Sequence, residues 1–139
     1  MQANSASSTL THPLDRAHDP RLVFGHVVEL AVSRVYQISV EDLLAPSRGP
    51  APTALARQVA MYLARVVGGL RLDDVGRVFR RDRTTVAHAC TVIEHRRDDP
   101  VFDMTLDRLE NMIKHIVHRM FPSAVVPGSA PNTNPVVHI

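Results

Sequence analysis

Several kinds of residue are scarce in this chain, and each scarcity removes a class of protein. One cysteine, Cys90, is present among 139 residues, so no disulfide can close within the chain and a reducing compartment is expected. There is no Trp and aromatics make up only 4%, which argues against a β-sandwich built on aromatic cross-strand pairs. No apolar run approaches the roughly 18–20 residues of a membrane span, and the N-terminus lacks the charged region and apolar stretch of a signal peptide. The expected location is the cytoplasm. No Gly-x-x-x-x-Gly-Lys-Ser/Thr phosphate loop occurs, so no nucleotide of that kind is expected as a ligand. Eight histidines are present, yet His88 and His95, or His115 and His118, are joined by no Cys or carboxylate at a four-ligand spacing. No metal, cofactor or catalytic constellation is therefore expected.

What the chain does contain is aliphatic. The hydrophobic fraction is 45%, dominated by Val, Leu, Ala, Ile and Met, and its periodicity is helical. Residues 1–20 read as a flexible leader, 21–121 as one helical domain and 122–139 as a Pro-rich tail. A first helix is expected with Leu22, Val23, Val27, Leu30, Ala31 and Val35 on its apolar side. Ser39 and Asp42 form a capping-box pattern for a short second helix ending near Leu44-Ala45. Pro46 to Pro52 is expected to be a loop, with Thr53 capping a third helix that closes at Gly68-Gly69. Leu72–Phe79 and Asp82–Arg97 give two further helices around an Arg80-Arg81 turn, and Asp73-Asp74 suit the positive start of the first of them. Asp99-Pro100 is read as a break, followed by a helix from about Met104 to Phe121. Its Leu106, Leu109, Met112, Ile113, Ile116, Val117 and Met120 form one broad face. That face suits core packing, with self-association or a protein partner through 104–121 as the alternative. The fold class is all-α, with about six helices.

Charge is distributed unevenly. Between Arg48 and Arg97 lie ten arginines and four acidic residues, whereas each flank has three basic residues against five acidic ones. A basic middle suits a polyanion-binding face. Two short helices joined by basic residues have the layout of a helix-turn-helix, with Leu72–Phe79 supporting and Asp82–Arg97 reading. Thr84 and Thr85 can bond phosphates or base edges, Arg83 can pair with guanine O6 and N7, and Arg80, Arg81 and Arg96 are candidate phosphate contacts. Cys90, among Ala89, Val92 and Ile93, reads as a small core residue.

Three segments then carry a resemblance. Val35-Tyr36-Gln37-Ile38-Ser39-Val40-Glu41-Asp42-Leu43-Leu44, Ala56-Arg57-Gln58-Val59-Ala60-Met61-Tyr62-Leu63-Ala64 and Asp82-Arg83-Thr84-Thr85-Val86-Ala87-His88-Ala89-Cys90 stand in this order. Together they resemble, from about Val27 to Arg97, the C-terminal DNA-binding domain of the bacterial replication initiator DnaA. The resemblance implies a helix-turn-helix that recognises DnaA boxes in double-stranded DNA, and thereby a nucleoid-associated regulator of replication initiation or transcription. It also implies that Asp82, Thr84, Thr85 and His88 approach the major groove and that Arg48 reaches the adjacent minor groove. Position 83 is Arg where the family usually has His. The loop around Arg48 is one residue longer, richer in Pro and poorer in basic residues than the family pattern. About twenty-five residues precede the resemblance and no ATPase phosphate loop is present, so a stand-alone reader is expected. The alternative function is a module that keeps the fold and docks to a replication or transcription protein.

Overall fold

The structure, a computed structural model, describes residues 19–122. The expected leader and tail lie almost wholly outside these residues. Six helices and no strand occur among the described residues: α1 Pro20–Tyr36, α2 Val40–Leu44, α3 Ala51–Val66, α4 Leu72–Phe79, α5 Arg83–Arg96 and α6 Pro100–Met120. The all-α expectation holds.

Proline opens three of these helices, and two of the starts depart from expectation. Pro50 is the N-cap of α3, with Ala51 and Pro52 already in its first turn, so Thr53 does not cap the helix. α6 begins at Pro100 rather than near Met104, and Asp99 accepts the Val101 N–H at 3.0 Å. Asp99-Pro100 therefore does end the helix before it, as expected, and also caps the helix that follows. α1 repeats the device, with Asp19 accepting from the Arg21 N–H at 3.0 Å ahead of Pro20. A first-turn proline costs nothing because its N–H would have no helical partner, and its fixed φ already suits the helix. At α2, Ser39 Oγ accepts from the Asp42 N–H at 3.1 Å; among the described residues the expected return bond from Asp42 is not made.

Helix α3 lies at the centre, packed on α5, α1, α2 and α4, while α6 covers α1. Ala56, Ala60 and Ala64 of α3 recur every turn and are fully buried, which lets the neighbouring helices approach closely. The buried side of α1 is Phe24, Val27, Val28, Ala31 and Val32, whereas Leu30 is 62% exposed and Val35 also faces out. The apolar face of α6 buries Leu106, Leu109, Ile113 and Val117, each contributing about 1.5–3 kcal/mol of transfer free energy. Met112 and Met120 are exposed, so the face is narrower than its composition suggests.

Glu29, Arg57 and Asp74 are the buried charged side chains among the described residues. Glu29 is almost fully buried on α1; its Oε2 takes a 3.1 Å hydrogen bond from the His26 ring, and its buried Oε1 has no partner. Burial pushes the Glu29 carboxyl above the usual carboxylate range, opposed by His26 and by the charge of Arg80. The folded protein therefore takes up this proton more readily than the unfolded chain. Stability from Glu29 rises as pH falls through the folded value and levels off below the unfolded value of about 4.3. Glu29→Gln is accordingly expected to melt higher than the parent at neutral pH, with the gap closing towards about pH 4. Melting curves across that range check this; a gap independent of pH would contradict it.

Candidate nucleic-acid interface

The interface is built from the turn between α4 and α5. Val75 and Phe79 of α4 are fully buried, as are Val86, Ala89 and Ile93 of α5, so the two helices share one core. The turn is tight because the Arg81 N–H bonds the Gly76 carbonyl at 2.9 Å. A Cβ on Gly76 would stand 2.5 Å from the Arg81 carbonyl oxygen, which is why glycine occupies this position. Arg80 ends α4 in the left-handed region, at φ 56°, a conformation that costs a non-glycine residue roughly 1–2 kcal/mol. The start of α4 is fastened by Asp74, which accepts from the Arg71 N–H at 3.3 Å and Arg71 Nε at 3.1 Å. Those bonds from Arg71 hold the Asp74 carboxyl below its ordinary range.

Asp82 occupies the N-cap of α5 in extended geometry, but its side chain does not bond the helix N–H groups. The donors at the start of α5 therefore remain available, and the carboxylate is not committed to them. Arg83, Thr84, Thr85 and His88 are exposed along the first turns. Thr85 lies where two concavities meet. One, of about 590 Å³, is lined by Asp73, Gly76, Arg77, Arg80, Arg81, Asp82, Arg83 and Thr85. The other, of about 390 Å³, joins Arg48 and Pro46 of the α2–α3 loop to Gln58, Arg57, Arg81, Thr85 and His88. Arg48 is thus brought beside α5 across a gap of nearly forty residues of sequence.

Two arginines hold that loop in place. Arg57, buried on α3, donates from Nε to Leu43 O at 2.7 Å, from Nη1 to Arg48 O at 2.9 Å and from Nη2 to Asp42 O at 2.9 Å. Arg81, from the turn, donates to Ala45 O at 2.6 Å and to Phe79 O at 3.2 Å. Its guanidinium is therefore directed at protein carbonyls, and it braces the loop against the turn. Burial, then the like charge of Arg81, lowers the Arg57 pKa from its ordinary value.

Arg96 stands apart from the other candidates. It lies in the last turn of α5, its guanidinium 5.9 Å from the centre of the Phe102 ring, and about 20 Å along the helix from Arg83. Its neighbour Arg97 is the centre of a network, donating to Asp103 at 2.6 Å, Tyr62 Oη at 2.7 Å, Asp107 at 2.9 Å and Glu110 at 3.0 Å. Burial opposes the charge there, but these bonds outweigh it and hold Arg97 protonated beyond the ordinary range. Cys90 is half-buried, its thiol pushed up by burial. Arg57, Gln58 and Arg77 line these concavities without being expected from the sequence. A polar pair between Ala56 and Val59 on a buried helix is the available signal for the first two.

Fold and site together define a helix-turn-helix domain. Residues 26–93 match the family model described as the bacterial dnaA protein helix-turn-helix. It is 40% identical over 88 residues to the chromosomal replication initiator protein DnaA 2 of Chlamydia pneumoniae, covering 63% of this chain and 19% of that protein. It is 37% identical over 86 residues to DnaA of Desulfotalea psychrophila, covering 61% and 18%. A crystal structure of a DNA replication initiation factor superposes with a TM-score of 0.64 at 32% identity, over 72% of this chain and 31% of that one. The chain thus matches about a fifth of the length of these curated relatives.

The double clamp makes a direct prediction. Arg57→Met is expected to destabilise the domain by about 2–4 kcal/mol in urea unfolding, since Leu43 O and Arg48 O lose their donor and Asp42 O keeps only the Ala45 N–H at 3.4 Å. Amide exchange should quicken at residues 43–49 while α6 keeps its protection. An unchanged unfolding midpoint would show that water replaces the guanidinium at no cost.

Proposed function

We propose that this domain binds duplex DNA at short sites of the DnaA-box kind, and that it thereby regulates replication initiation or transcription. The carrying observation is the start of α5: an exposed, uncapped helix end with Thr84, Thr85 and His88, flanked by the Arg48 loop and the arginine-rich turn. A helix presented in this way fits the major groove, which is wide enough to admit it and carries a distinct donor and acceptor pattern for each base pair. Thr84, Thr85 and His88 face base edges and phosphates there. Asp82, unspent on the helix N–H groups, is free to accept from a cytosine or adenine amino group. Arg83 takes guanine through O6 and N7. Arg48, at the far side of the loop concavity, enters the neighbouring minor groove. Arg81 contributes by bracing this arrangement, and Arg96 meets the phosphate backbone further along. The relatives are named as chromosomal replication initiators, and the chain's role in that process is assigned on this likeness.

Fluorescence anisotropy on duplexes with and without DnaA-box-like sites, over a salt series, tests the reading. Site-bearing duplexes should bind more tightly by about 10³-fold or more, with affinity falling steeply as salt rises. Arg83→Ala and Thr85→Ala should each remove about 1–3 kcal/mol of discrimination, whereas Arg96→Ala should weaken all duplexes alike. Equal, weak binding to every duplex would sink the sequence-specific reading.

A further inference from the structure

The larger concavity carries more positive groups than reading bases requires. Arg77 reaches it from the last turns of α4, Arg80 from the helix end, and Arg83 from the first position of α5. The left-handed backbone of Arg80 turns the chain so that these three consecutive elements share one hollow. Among the described residues, the side chains of Arg80 and Arg83 make no hydrogen bond or ion pair. Arg77 approaches Asp74 only at 3.6 Å, and that carboxylate is already engaged by Arg71 at 3.1 Å and Arg21 at 3.4 Å. Asp73 and Asp82 share the lining and, with Arg81 spent on carbonyls, face three free guanidiniums. Across Thr85 the balance of free donors is different. There the guanidiniums of Arg57 and Arg81 are spent on carbonyls, and Arg48 alone is uncommitted.

A helix lying in a major groove has one sugar–phosphate strand on each side of it. Resting on the duplex-binding reading above, we propose that Arg77 and Arg80 seat the phosphodiesters of one strand in this hollow while Arg83 beside them reads a base, so that the domain grips the two strands unequally. The ligand class is a run of adjacent phosphates, for which guanidinium forks are suited because they bond phosphate oxygens in pairs. Arg77 then acts as a sequence-independent anchor. Arg80 retains a strained backbone because its side chain is needed where it stands.

The test uses the full chain and a site-bearing duplex in which single phosphates are replaced by neutral methylphosphonates, one strand at a time. On one strand, two or three adjacent replacements should each weaken the parent about tenfold, and replacements facing them on the other strand should do much less. In the double variant Arg77→Gln, Arg80→Gly those replacements should become silent. The slope of log affinity against log salt should fall by about 2, while preference among sites is kept. Glycine suits the φ of Arg80, and a melting curve confirms that the variant is folded; Arg77→Gln alone, on an exposed helix surface, should show about half the slope change. Equal sensitivity of both strands, or an unchanged slope in the double variant, would overturn the proposal. So would millimolar inorganic phosphate raising the melting temperature while the variant keeps full duplex affinity, because the hollow would then hold a free anion. If the parent itself shows no salt-dependent duplex binding, it is the DNA-binding reading that fails.

Discussion

The candidate interface depends on guanidinium groups supplying hydrogen bonds to a stretch of backbone that cannot supply its own. The five-residue helix α2 leaves carbonyls at its end without helical donors, and the loop after it contains Pro46 and Pro50, which have no N–H to offer. Arg57 and Arg81 meet this deficit from opposite sides, one from the central helix and one from the turn. Burying Arg57 has a desolvation cost, and the neighbouring charge of Arg81 adds to it. That cost is offset only because three acceptors converge on one planar fork. The position of Arg48, the shape of the smaller concavity and the register of the loop against α5 follow from these bonds. Loosening them would leave α5 intact but take away the second half of the interface.

Much of this is legible in the sequence, for identifiable reasons. α4, its turn and α5 are readable because glycine, adjacent arginines and an aspartate punctuate two short apolar periods. The resemblance of three segments to the DnaA domain is enough to associate Arg48 with the Asp82–Thr85 signature. α1 is harder, because apolar residues run around most of its circumference from Leu22 to Val35. Periodicity alone does not tell that Phe24, Val28 and Val32 face inward while Leu30 faces out. The Asp-Pro pairs at 19–20 and 99–100 look like interruptions, yet each is a cap followed by a residue suited to the first turn.

The roles of the arginines are the least legible part. A guanidinium bound to carbonyls has no partner visible as a residue type, since every residue carries a carbonyl. Nothing in composition therefore separates Arg81, turned inward, from Arg80 and Arg83, turned outward. Only the folded chain makes that distinction, and it changes what the basic middle of the sequence means. Its charge is shared between holding the loop and facing solvent.

The Arg97 network gives the domain an electrical axis. Asp103, Asp107 and Glu110 gather around one arginine at the far end of α5, about 20 Å from the uncapped start where free arginines collect. A polyanion approaching within a Debye length, about 8–10 Å in physiological salt, would exert a torque on such a molecule before touching it. The turn would be drawn in first, and Arg96 at the other end of α5 would meet the polyanion later. Fewer collisions would then arrive in the wrong orientation, so the cluster that ties α3, α5 and α6 together would also shape the kinetics of the proposed encounter.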